Sequence, residues 1–97
     1  MKDNVNFLAI RSYVAALRRG KVRDKTKKED FLRAIKSEVR EYREATNVIS
    51  AHIPQFSHET EELADIIITC MTTLAHMGVD VGAVLNAKIQ YNMNRKD

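Results

Sequence analysis

Between Arg43 and Lys88 the sequence has neither lysine nor arginine, although Glu44, Glu59, Glu61, Glu62, Asp65 and Asp80 all fall inside that stretch. Acids without basic neighbours in sequence are solvated, paired from other segments, or bound to metal ions, because an unpaired charge is expensive to bury. Cysteine is nearly absent as well. Cys70 is the only one, which excludes an internal disulfide, and its setting in Ile66-Ile67-Ile68-Thr69-Cys70-Met71 reads as a packed thiol rather than a catalytic one. No apolar run reaches the length of a bilayer span. Met1 to Asn6 carries two charges and no long apolar core, so no secretory signal is expected and the expected location is cytoplasmic. Strand-like alternation of useful length is also missing, which leaves the all-α class.

The 97 residues are expected to form a single domain over 1–97, with the composition of a soluble globular protein. A domain this small buries proportionally little surface, so partners are expected to complete its core. Helical spacing of Phe7, Ile10, Val14 and Leu17 predicts a first helix over Val5–Arg19, ended by Gly20. A polar connector rich in lysine and arginine follows, then a second helix over Thr26–Asn47 with Phe31, Ile35, Val39 and Tyr42 as its apolar stripe. Ser57 is placed to cap a third helix that runs to Met77 before Gly78, and Asp80 to cap a fourth that reaches Asn94.

On the second helix, Glu38 falls inside the apolar sector and Glu41 at its edge, one turn further on. The third helix is apolar on nearly every side, and its remaining polar stripe holds Glu62, Asp65, Thr69, Thr72 and Thr73. If these two helices pack antiparallel, Glu38, Glu41, Glu62 and Asp65 converge, and four carboxylates cannot all stay charged without cations. An oxygen-only cluster suits magnesium or manganese. A di-iron bundle would want Glu-x-x-His pairs, and none of His52, His58 or His76 has a glutamate three positions before it. On the fourth helix Lys88, Asn92 and Arg95 continue the stripe of Val81, Val84, Leu85 and Ile89, and cations on an inward face would want an anion such as a polyphosphate.

The run Ser37-Glu38-Val39-Arg40-Glu41 followed by Glu61-Glu62-Leu63-Ala64-Asp65, with Lys88-Ile89-Gln90-Tyr91-Asn92-Met93-Asn94-Arg95 downstream, resembles the MazG-like nucleotide pyrophosphohydrolases. Their signature is Glu-Glu-x-x-Glu, a spacer, then Glu-x-x-Asp. Ser37 stands where the signature has its first glutamate, while the four metal-binding acids of the family map onto Glu38, Glu41, Glu62 and Asp65. The resemblance implies a four-helix MazG-like bundle completed by assembly into a homodimer or homotetramer. It also implies magnesium-dependent cleavage of a nucleoside triphosphate to a monophosphate and pyrophosphate, a house-cleaning reaction on the nucleotide pool. Lys88 and Arg95 would hold outer phosphates beside Asn92, Tyr91 would meet the sugar or pack, and Glu41 is the candidate proton acceptor.

Other readings compete. The basic run from Arg18 to Lys28 is the support for a small nucleic-acid-binding module, but it has no interleaved aromatics and is expected to be a solvated connector with little bearing on turnover. A non-catalytic helical interaction protein would keep the same fold. A phosphoribosyl-ATP pyrophosphatase-like enzyme would carry similar paired acids, and the Lys-Asn-Arg pattern favours the nucleotide branch over it.

Overall fold

The computed structural model describes residues 4–96; the first half of the Met1–Asn6 segment lies outside them. The described chain forms four α-helices: α1 (Val5–Arg18), α2 (Lys28–Glu44), α3 (His58–His76) and α4 (Val81–Asn94). No named strand occurs among the described residues; one isolated bridge joins Ile49 and Ser57. The class expected from the sequence is therefore observed, and the helix limits either coincide with those expected or differ by at most three residues.

Each limit has a chemical cause. Asn4, Ser57 and Asp80 accept a hydrogen bond from the backbone N–H three residues on, capping α1, α3 and α4. The start of α2 falls at Lys28 rather than Thr26, because Asp30 reaches back to accept from the Lys27 N–H at 2.9 Å and fixes the first turn there. At the end of α1, Gly20 takes a φ of +70° while the Lys21 N–H reaches Ala16 O and the Gly20 N–H reaches Leu17 O, a Schellman closure. The expected end of α2 at Asn47 comes instead at Glu44, where Ala45 turns extended.

The central element is α3. Phe31, near the start of α2, meets the ring of His76 at the end of α3, whereas Glu38 lies beside Glu62 and Asp65, so the two helices run antiparallel. On the other side, Asn6 near the start of α1 meets Asp80 just beyond α3, while Ser12, further along α1, accepts from Thr72 at 3.1 Å, which sets α1 antiparallel to α3 too. Helices α1 and α2 flank α3 without packing directly on each other. Ala9, Met71 and Val81 form the buried cluster, with Val5 and Leu74 against it.

Helix α4 turns away from α3 by 112°. Asn6 clamps its first turn, its amide donating to Asp80 at 3.0 Å and its carbonyl oxygen accepting from the Gly82 N–H at 2.8 Å. Val81 is buried there, but Val84, Leu85 and Ile89 are exposed. The stripe read as inward-facing thus lies open in the single chain beyond its first turn. No single helix among the described residues is long and apolar enough to cross a membrane.

Candidate metal centre

Antiparallel packing of α2 on α3 brings Glu38, Glu62 and Asp65 together, one carboxylate oxygen of each lying within 4.8 Å of those of the other two. Three of the four acids singled out in the sequence therefore converge. Glu62 is 8% exposed and Glu38 and Asp65 are half-buried. Glu41 lies one turn along α2 on the exposed edge, outside this triad but near enough for its charge to be felt by both Glu38 and Asp65.

The electrostatics record the crowding. Burial, followed by the charges of Asp65, Glu62 and Glu41, raises the Glu38 pKa above the usual carboxylate range, with Lys21 opposing. Asp65 is raised by burial and then by Glu61 and Glu41, with His52 and Arg19 opposing. Both carboxyls bind their protons more tightly in the folded chain than in the unfolded one. The contribution of these two carboxyls to metal-free stability should consequently fall as pH rises from the ordinary carboxylate range through the raised values, then level off, while Glu61 and Asp80, whose pKa values are lowered, contribute in the opposite sense. A bound divalent cation would expel those protons and weaken or reverse the trend. Melting temperatures between about pH 4 and pH 7 check this, and Glu38→Gln should flatten the metal-free slope.

Glu61 has a different task from its neighbour. It accepts from Ser50 Oγ at 2.7 Å and meets His52 Nδ1 at 2.7 Å, and these bonds, Ser50 first, lower its pKa. The Ser50 hydroxyl, 2% exposed as a residue, also accepts from the His52 and Ile53 N–H groups, so one side chain ties the loop after α2 to the N-terminal turn of α3. The bond to the Glu61 carboxylate, with its charge, raises the pKa of His52. Ser50→Ala would strand these groups and should cost about 1–3 kcal/mol in denaturant unfolding, while leaving the triad's own oxygens in place.

All three histidines have partners. His58 Nε2 lies 3.2 Å from Glu62 Oε2, His52 meets Glu61, and His76 meets Tyr13 and Phe31. Sequence reasoning missed Ser50, His52 and Glu61. Glu61 looked like one more acid beside Glu62, and its partners come from a loop about ten residues upstream. His58 and Glu62, four apart on one helix, were the one pairing that helical spacing could have revealed.

The α4 residues are not brought to the acids within the chain. Lys88, Tyr91, Asn92 and Arg95 are exposed, and Lys88 Nζ sits over the Tyr91 ring at 4.6 Å. Helix α4 starts beyond His76, while Asp65 lies near the opposite end of α3, about 16 Å away along its axis.

A cavity of about 590 Å³ fills the space between α1 and α2 over α3 and reaches Glu38. It exists because Ala15, Ala16 and Ala34 are too small to close it. Phe31 and Met71 line its apolar part, and Arg11, Arg19 and Lys21 its basic part. Two members of the basic run read as a solvated connector thus face a groove that ends at the acids.

The donor set is chemically coherent. Three carboxylates from two rigid helices offer oxygen ligands to a hard divalent cation, which ordinarily keeps waters and takes further ligands from phosphates. Comparison with known protein families, curated proteins and solved structures found no match to this chain.

Proposed function

We propose that the chain is a magnesium-dependent nucleotide pyrophosphohydrolase of the MazG-like kind, cleaving a nucleoside triphosphate into a monophosphate and pyrophosphate. The observation that carries this reading is the convergence of Glu38, Glu62 and Asp65 from antiparallel helices, in the order and spacing of the acidic signature. Isolated acidic pairs on helices are usually solvated. Here a nearly buried glutamate and two half-buried acids with raised pKa values share one site, a combination that favours a functional role.

Glu38, Glu62 and Asp65 would hold magnesium or manganese, and Glu41 would complete the ligand set from the exposed edge. The bound metal would neutralise phosphate charge and lower the pKa of a water attacking the α phosphorus in line. Glu41, exposed and outside the triad, would accept the proton of that water. Lys88, Tyr91, Asn92 and Arg95 would reach the substrate from another copy of the chain, since α4 begins at the far end of α3 from the acids. The proposed setting is the nucleotide pool of the cytoplasm.

Incubation with magnesium and each common NTP and dNTP, with products identified, tests the reaction. Monophosphate and pyrophosphate from at least one nucleotide are expected. Diphosphate with orthophosphate, or no turnover with any nucleotide, would contradict the assignment.

A further inference from the structure

Arg19 and Lys21 belong to the basic run that the sequence assigned to a solvated connector, yet both line the groove between α1 and α2. The Schellman closure at Gly20 is the local cause. It turns the chain so sharply after α1 that Lys21 comes back over the groove instead of continuing outward. Arg19 shares a face of α1 with Arg11, Ser12, Ala15 and Ala16, which form one wall. Glu38 lies on the opposite wall and is itself one of the triad.

The charges in this groove are arranged by side. The carboxylates are on α2 and α3, and the cations Arg11, Arg19 and Lys21 are on α1 and the turn after it, with the Arg11 guanidinium stacked over the Phe7 ring. Asp30, the other acid of the lining, is engaged by Arg33 and by the Lys27 N–H, so it does not answer Arg19 or Lys21. Once a divalent cation has answered the acids of the triad, two basic side chains are left facing an open groove beside a metal. The ligand that satisfies both is one with several negative charges in a row.

We infer that Arg19 and Lys21 hold the oligophosphate portion of the substrate against the metal centre, making the α1 side of the groove a phosphate-binding wall supplied by the same chain as the acids. This rests on the metal-centre reading of Glu38, Glu62 and Asp65, and it departs from the expectation that the basic run has little bearing on turnover. Arg19 supplies a planar fork able to bridge two phosphate oxygens, and Lys21 a mobile point charge.

Calorimetry of the full-length chain with magnesium and inorganic tripolyphosphate tests the wall directly. The Arg19→Ala/Lys21→Ala double variant should bind tripolyphosphate about thirtyfold more weakly while retaining its affinity for magnesium alone. Arg23→Ala/Lys25→Ala removes the same formal charge from nearby positions outside the groove lining and should change the affinity by less than about twofold. All four side chains are exposed, so the folds should survive, and circular dichroism checks this. The inference is overturned if wild-type chain does not bind tripolyphosphate, if the groove variant binds it as wild type does, or if both double variants lose affinity equally. Turnover separates this from the enzymatic reading. Nucleotide cleavage with an unchanged KM in Arg19→Ala/Lys21→Ala would reject the wall and leave the enzyme. Groove-dependent tripolyphosphate binding without cleavage of any nucleotide would keep the wall and reject the enzyme.

Discussion

Glu62→Gln should lower nucleotide turnover by at least about a hundredfold, since metal stabilisation of the transition state is worth several kcal/mol and each 1.36 kcal/mol is a factor of ten. Glu38→Gln and Asp65→Asn should do the same, because each removes a carboxylate from the converged triad. Glu41→Gln should also abolish most activity if Glu41 is a ligand or proton acceptor, but its exposure predicts a smaller effect on metal affinity than at Glu62. Stability should move the opposite way. The metal-free variants lose like-charge repulsion, so Glu38→Gln should melt at or above the wild-type temperature, while the stabilisation that magnesium gives the wild type should shrink. Turnover and melting measured on the same preparations check both. Four variants with near-normal turnover would remove the cluster from catalysis.

The second large effect concerns assembly. The buried apolar residues of the described chain are few, and the central cluster is only Ala9, Met71 and Val81. Large apolar side chains stay open on all four helices, with Ile10 60% exposed on α1, Leu32 47% on α2, Ile67 54% on α3, and Ile89 56% and Met93 72% on α4. Apolar exposure of this extent would suit an interaction surface, and a second copy of the chain is the partner expected if the proposed MazG-like reading holds. We expect a dimer, or a tetramer built from dimers, in sedimentation at low micromolar concentration. Ile67→Glu should shift the distribution toward smaller species and lower the melting temperature if this part of α3 is covered by a partner. A stable, folded monomer as the sole wild-type species would reject the expectation.

Much of the fold was legible because its signals are local. Ser57, Asp80 and the two positive-φ glycines announce helix ends through chemistry confined to a few residues, and all four act where the sequence placed them. Glu38, Glu62 and Asp65 were legible because helical spacing put Glu38 in the apolar sector of α2 and gathered Glu62 and Asp65 on the one polar stripe of an otherwise apolar α3, and antiparallel packing of the two helices did the rest. Periodicity was a poorer guide to burial. The stripe on α4 is regular, but the turn at Gly78–Asp80 sends the helix away from its neighbours, so Lys88 and Asn92 are exposed rather than inward. The positions of Arg19 and Lys21 depend on the course of the chain after Gly20 and on the gap between α1 and α2. Neither is encoded in the spacing of residues along one helix. Ser50 and Glu61 likewise meet only because the loop folds back on α3.

Manganese binding followed by electron paramagnetic resonance tests the acid triad as a metal centre most directly, because it reads ligation without requiring the right nucleotide. Wild-type chain titrated with manganese should deplete the free-ion signal at a saturable site, magnesium should compete for it, and Glu62→Gln and Asp65→Asn should each lose it while remaining folded. Absence of saturable binding in the wild type, or equal binding in the wild type and both variants, would contradict the assignment of Glu38, Glu62 and Asp65 as the metal centre.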